Sequence, residues 1–208
     1  MKIIYGTSNE GKIADMKRII TENNIDIEIL TAKDIGFDKD IIEDGKTFEE
    51  NSEIKAKAIA EYCNENNIKG IVITDDAGLC IDKLNGEPGV YSARYAGDHA
   101  PQIECINKIL DKMKQYENME ERTCQFVCVL TAIILATGEK IVARGECKGS
   151  IAKEHGKLGG LTYSPIFIPY GFTEPMSNMP KEKYEKQHNH RNMATKEIIK
   201  NLKERKIL

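Results

Sequence analysis

A strong net charge is the first thing this sequence lacks. Thirty Lys and Arg stand against 33 Asp and Glu, a balance of −3 over 208 residues. So small a surplus draws in neither nucleic acid nor an anionic membrane through a broad field. A polyanionic substrate must instead meet a local group of lysines or a metal ion. The six cysteines (Cys63, Cys80, Cys105, Cys124, Cys128 and Cys147) include no C-x-x-C pair and have no nearby pair of histidines. That spacing argues against a zinc site and a disulfide framework, and for reduced, mostly buried thiols. Long apolar runs are missing as well. The opening MKIIYGTSN resembles neither a secretory leader nor a membrane span, so the expected location is the cytoplasm. There is no internal repeat, low-complexity tract or interdomain linker. With 40% hydrophobic and 30% charged residues, the chain reads as one domain, 1–208, with enough core for two lobes at most.

The stretch with most to say is Ile71-Val72-Ile73-Thr74-Asp75-Asp76-Ala77-Gly78-Leu79. A β-branched run typical of a buried strand is expected to stop on two adjacent carboxylates and a glycine. Neighbours on an extended chain point to opposite sides. One aspartate can then hold a metal while the other orients water, or both can share a cation through the turn. The plain alternative is a turn in which Asp serves its own backbone.

Upstream, Lys2 to Tyr5 reads as a strand and Gly6-Thr7-Ser8-Asn9-Glu10-Gly11 as a turn. A helix from about Lys12 to Glu22 follows, burying Ile13, Met16, Ile19 and Ile20. Strand, polar turn and helix form a geometry that receives phosphate, with Thr7 and Asn9 as donors and Lys12 as a point charge. The G-x-x-x-x-G-K-[ST] spacing is absent, so this is not a P-loop, and capping alone explains many such turns. A strand from Ile27 to Leu30 leads to Glu43, then to Thr47 and Glu50 spaced as a capping box. The helix they open runs to about Asn64 and presents Asn51 and Lys55 on one face. Further on, a helix from Pro101 to about Tyr116 carries Ile103, Ile106, Leu110 and Met113 inward. Gln125 to Leu135 and Lys140 to Cys147 read as a hairpin turning at Thr137-Gly138. A glycine-rich loop, 156–165, precedes Ile166-Phe167-Ile168. A last helix, about Met193 to Lys206, buries Ile198, Ile199 and Leu202, with His190 and Arg191 at or just before its start.

Several segments in order carry a resemblance. They are Thr7-Ser8-Asn9-Glu10-Gly11-Lys12; Glu43 with Thr47-Phe48-Glu49-Glu50-Asn51-x-x-x-Lys55-Ala56; and Asp75-Asp76-Ala77-Gly78-Leu79. The long block Leu84-Asn85-Gly86-Glu87-Pro88-Gly89-Val90-Tyr91-Ser92-Ala93-Arg94-Tyr95-Ala96-Gly97 follows. Gly159-Gly160-x-x-Tyr163-x-Pro165-Ile166-Phe167 and His190-Arg191 complete the set. Together, from residue 7 to about 195, they resemble the inosine triphosphate pyrophosphatases. The resemblance implies an elongated two-lobed α/β fold, with a mixed, twisted central sheet flanked by helices and a substrate cleft between the lobes. It implies Mg²⁺-dependent hydrolysis of ITP, dITP or XTP to the monophosphate and pyrophosphate, with Mn²⁺ as a substitute ion, in a homodimer that cleanses the nucleotide pool. No nucleic acid or membrane partner is expected.

By position, the resemblance makes Asp76 the general base, and Glu43, Asp75 and Asp76 the metal carboxylates. Thr7, Asn9, Lys12 and Lys55 become the phosphate set, and Leu161, Tyr163, Ser164, Lys186, His190 and Arg191 the base-reading set. The chemistry agrees: a carboxylate beside Mg²⁺ can take a proton from water, while lysines offset charge on phosphate oxygens. Donors such as His190 or Arg191 would favour the C6 oxygen of hypoxanthine and xanthine over the amine of adenine. The base half departs from the family pattern, with Leu161 where an aromatic stacks and Ser164 where an acid stands. The upstream lysine is out of register, leaving Lys183 and Lys186 as candidates. Two alternatives stand beside this reading: a nucleotide-binding sensor without turnover and, left open by Leu161 and Ser164, a pyrophosphatase of modified pyrimidine or methylated nucleotides.

Overall fold

A computed structural model of the chain describes residues 1–184 and 189–208, with the backbone alone at 181 and 184. Eleven helices and strands among the described residues position the site. They are β1 (Lys2–Tyr5), α1 (Glu10–Glu22), β2 (Glu28–Thr31), α2 (Phe48–Glu65), β3 (Ile71–Ile81) and α3 (Gln102–Met113). After these come β4 (Thr123–Ile134), β5 (Lys140–Ile151), β6 (Phe167–Pro169), α4 (Lys181–Tyr184) and α5 (His190–Glu204). The strands form one six-stranded sheet in the order β2-β1-β3-β4-β5-β6. β1 pairs parallel with β2 and with β3, whereas β5 and β6 are antiparallel, so the sheet is mixed as expected.

The chain divides into two compact units, 1–76 with 128–145 and 191–208, and 77–127 with 146–190. In the first, Ile4, Phe37, Ala56, Ile59, Cys63 and Val72 form an apolar cluster between sheet and α2. Phe37 meets Tyr62 edge to face at 5.4 Å. In the second, Leu79, Ile81, Ile106, Ile109, Met113 and Phe167 build a separate cluster. There the buried Arg122 donates to the carbonyls of Met113, Tyr116, Ile151 and Ala152, so its charge is surrounded by acceptors. All six cysteines are free thiols, five of them buried. Burial pushes the Cys128 and Cys147 thiols up to about 12.

Three expectations are corrected. β3 does not stop at the aspartate pair but continues to Ile81. Carboxylates disfavour strands where water must solvate them, and here both have protein partners instead. In open α/β sheets ligands bind beyond the carboxyl ends of strands, and the last residue of β1, Tyr5, is in register with Ile73. Asp75 and Asp76 therefore lie just past the carboxyl end of β1. Helix α3 ends at Met113 and turns Cys105 and Ile109 inward, leaving Ile103 and Leu110 only partly buried. Helix α5 starts at His190, so His190 and Arg191 belong to its first turn.

Helix α2 is the element that carries the site, and its start is set locally. Thr47 Oγ1 accepts from the Glu50 N–H at 3.1 Å, and the Glu50 carboxylate accepts from the Thr47 N–H at 3.2 Å. One turn on, Ser52 and Thr74, both fully buried, are clasped together. Thr74 Oγ1 donates to the Ser52 carbonyl at 2.6 Å, and Ser52 Oγ donates to the Thr74 carbonyl at 3.3 Å. This clasp fixes α2 against β3 one residue before Asp75. Thr47→Ala removes the cap and should lower unfolding stability by about 1 kcal/mol in urea titrations. An unchanged midpoint would mean that packing alone starts the helix.

Candidate active site

The acid pair on β3 separates into two environments. Asp75 is 2% exposed and accepts three hydrogen bonds. Tyr5 Oη donates to Oδ1 at 3.2 Å, while Lys12 Nζ at 2.8 Å and Arg191 Nη2 at 3.2 Å both donate to Oδ2. Burial by itself would raise its pKa. The charges of Lys12 and Arg191, the Lys12 hydrogen bond and the charge of Lys55 outweigh that effect and hold the carboxyl well below the usual carboxylate range. Burial and the Asp75 charge push the Tyr5 phenol well up, so it stays a donor.

Asp76 faces the other way and is half-buried. Its Oδ2 accepts from the Asn51 amide at 3.1 Å, and its Oδ1 lies 3.9 Å from Lys55 Nζ. The same ammonium donates to Glu43 Oε2 at 2.7 Å. Asn51 and Lys55 are four residues apart on α2, so one helix face serves both carboxylates. The Asn51 Oδ1 accepts from the Gly45 N–H at 2.8 Å, which ties the segment carrying Glu43 to the same helix. A Cβ on Gly45 would fall 2.6 Å from that oxygen and 2.7 Å from Glu50 Cβ, so glycine is needed there for close approach.

The first turn of α1 contributes Lys12 directly, and the β1–α1 turn contributes Thr7 and Asn9 locally. Thr7 Oγ1 accepts from the Asn9 N–H at 3.2 Å, and Asn9 Oδ1 caps α1 by accepting from the Lys12 N–H at 3.1 Å. Asn9 thus orients the turn from which Lys12 reaches Asp75. Asn51 and Tyr5 join this constellation without having been assigned to it from the sequence. The signal for Asn51 was its helical spacing from Lys55; Tyr5 had only its place at the end of a strand.

Among the described residues, no group of three or more His, Cys, Asp or Glu side chains is gathered so as to hold a metal ion. Glu43, Asp75 and Asp76, expected to share one ion, are divided between separate cations. Glu43 and Asp76 share an ammonium, and Asp75 is tied to its own two cations. In donor chemistry, Glu43 and Asp76 suit a hard divalent ion, since both offer carboxylate oxygens and already face a cation.

The base-reading residues fare differently. Leu161 is 46% exposed. Tyr163 is buried with its hydroxyl donating to the Ser92 carbonyl at 2.7 Å, and Ser164 Oγ donates to the Leu161 carbonyl at 2.8 Å. Both polar groups are thus engaged in holding their own loop. His190 stacks on Phe126 with ring centroids 5.1 Å apart. Arg191 is committed to Asp75. Lys186 lies outside the described residues, and Lys183 is 3.8 Å from Glu174.

The Asp75 cluster has a pH signature. Its carboxyl is depressed in the folded state, so the stabilisation is present above the unfolded value of about 4 and is lost as pH falls below it. Asp75→Asn should cost about 3–5 kcal/mol at pH 7 by leaving Lys12 and Arg191 without their anion. It should also flatten the fall in stability below about pH 4. Urea unfolding of both proteins across that range tests this, and parallel profiles would refute the assignment.

The chain is similar to known proteins over nearly its whole length. The model of the Ham1 family matches residues 3–201. A dITP/XTP pyrophosphatase of Bdellovibrio bacteriovorus is 39% identical over 202 residues, covering 97% of this chain and 98% of its own. The dITP/XTP pyrophosphatase of Bacillus subtilis is 39% identical over 197 residues, covering 95% and 94%. The solved structure of the Staphylococcus aureus Ham1 protein matches with a TM-score of 0.83 at 34% identity, covering 99% of this chain and all of that one. A HAM1 protein from Coxiella burnetii matches with a TM-score of 0.85 at 28% identity, covering 98% and 99%. The resemblance carried by the ordered motifs is thereby borne out over nearly the whole chain, which belongs to the Ham1 family.

Proposed function

We propose that this chain is a hydrolase of non-standard purine nucleoside triphosphates, ITP, dITP and XTP, which it converts to the monophosphate and pyrophosphate. The observation that carries this reading is the arrangement of Glu43, Lys55, Asp76 and Asn51 in one unit with the Lys12–Asp75–Arg191 cluster. Relatives of matching length are named dITP/XTP pyrophosphatases, which supports the substrate class.

In this reading Asp76 is the general base. The Asn51 amide holds one of its oxygens, and the carboxylate accepts a proton from the attacking water. The water oxygen bonds to the α-phosphorus, and the bond from that phosphorus to the bridging oxygen breaks, so pyrophosphate leaves. Lys12 and Lys55 place positive charge against the phosphate oxygens, and placement with electrostatics supplies most of the rate in such transfers. A divalent ion, assigned to Glu43 and Asp76, polarises the phosphate oxygens when bound. Oxygen donors suit Mg²⁺, with Mn²⁺ as an alternative. Asp75, held by three donors, positions Lys12 and Arg191. We further infer a homodimer working in the cytoplasmic nucleotide pool; among the described residues no helix is long and apolar enough to cross a membrane.

Base preference is assigned to the segment 161–164. Leu161 presents an aliphatic surface, while Tyr163 and Ser164 hold the loop behind it. An aliphatic side chain gives up the stacking of an aromatic, worth roughly 1–3 kcal/mol per base.

Pyrophosphate release from ITP, dITP, XTP, GTP, ATP and dUTP, measured side by side with Mg²⁺, should favour the first three. Preference for dUTP, or no release from any, would overturn the proposal. Asp76→Asn should lower kcat by about 10²–10⁴-fold while nucleotide binding persists; full turnover would remove Asp76 from the role of base. Leu161→Phe should lower KM for ITP by about fivefold or more with kcat little changed. A KM that stays put would place base binding elsewhere.

A further inference from the structure

We propose that the Lys55 ammonium is the resident counter-ion of the Glu43–Asp76 pair, and that a divalent cation enters by displacing it, releasing Lys55 to the polyphosphate of the substrate. The inference rests on the reading that these two carboxylates hold the ion. Lys55 Nζ is 2.7 Å from Glu43 Oε2 and 3.9 Å from Asp76 Oδ1, and its side chain is largely buried. Two carboxylates and one ammonium leave the group one negative charge. Adding a divalent ion with the ammonium still in place would reverse that to one positive charge. Like charges at such separations repel strongly where water is partly excluded. Ion and ammonium therefore compete for the same oxygens.

Lysine suits the exchange, because its charge sits at the end of a flexible four-carbon stem. The helix that carries it is held independently by the Thr47–Glu50 cap and the Ser52–Thr74 clasp, so the ammonium can leave while α2 stays. Once displaced, it needs a new anion, and a polyphosphate supplies one. Ion and nucleotide then strengthen each other's binding by the same factor, as linkage requires.

The test is made without substrate. Mg²⁺ and Mn²⁺ are titrated calorimetrically into wild type, Lys55→Met, Lys55→Gln, Glu43→Gln and the double variant Lys55→Met with Glu43→Gln. The ammonium resonance of Lys55, assigned through its own side-chain carbons, is followed in wild type by ¹⁵N NMR. Removal of the competing charge should tighten ion binding about tenfold in both Lys55 variants. The wild-type Lys55 resonance should move along the same isotherm. Equal affinity in wild type and both Lys55 variants, or a Lys55 resonance unmoved at saturating Mg²⁺, overturns the exchange. If that happens while Glu43→Gln still weakens the ion, the assignment of the ion stands and only the exchange fails. If the double variant binds as tightly as Lys55→Met, Glu43 does not hold the ion, and the underlying reading fails with the exchange. Lys55→Gln, which keeps a polar chain, decides the affinity comparison should Lys55→Met not fold.

Discussion

A carboxylate placed inside a protein must have its charge answered there, and Asp75 imposes that condition on three separate stretches of the chain. Lys12 comes from the first turn of α1, Arg191 from the first turn of α5, and Tyr5 from the end of β1. None of these elements is adjacent to β3 in sequence. The buried anion is the common object on which they are registered. Desolvation opposes its ionised state, and the two cations outweigh it, so the depressed carboxyl measures how far charge pairing has won. The same pairing brings lysine and arginine charge to the part of the sheet where a polyphosphate would need it.

Helix α2 adds the second half of the arrangement by simple periodicity. Asn51 and Lys55 are one turn apart, so each can address a carboxylate on the same side. Their reach is only useful if the helix cannot slide along β3. The reciprocal bonds between Ser52 and Thr74 supply that register, and they do so at the residue preceding Asp75. Local structure and site geometry are therefore set by the same few residues. The cap at Thr47 fixes where the helix begins, and the clasp fixes where it lies.

Features governed by local chemistry were legible in the sequence. The Thr47–Glu50 capping box, the shared face of Asn51 and Lys55 and the core positions of α5 all follow from spacing. Features governed by distant partners were not. Two aspartates read as a strand terminator because sequence shows their solvation cost and not their partners; with Lys12, Tyr5, Arg191 and Asn51 present, β3 runs on for five residues past Asp76. Arg191 travels in a motif with His190, and spacing alone does not show that the first turn of α5 delivers its guanidinium to Asp75. The hydroxyls of Tyr163 and Ser164, placed by resemblance in the base-reading set, donate to the carbonyls of Ser92 and Leu161, which no spacing rule reveals.

Asp75 and Asp76 show how one residue type acquires two roles from its surroundings. They are adjacent, so the pleat of β3 sends their side chains to opposite sides. Asp75 meets three donors, two of them cations on the same oxygen, so a proton or ligand arriving there competes with two charges. Asp76 accepts the neutral Asn51 amide and lies 3.9 Å from the Lys55 ammonium. A base must accept a proton during the reaction, and an oxygen already gripped by two charges accepts one poorly. Charge pairing, then, and not identity or position in the motif, distinguishes Asp75, which organises the site, from Asp76, proposed as its base.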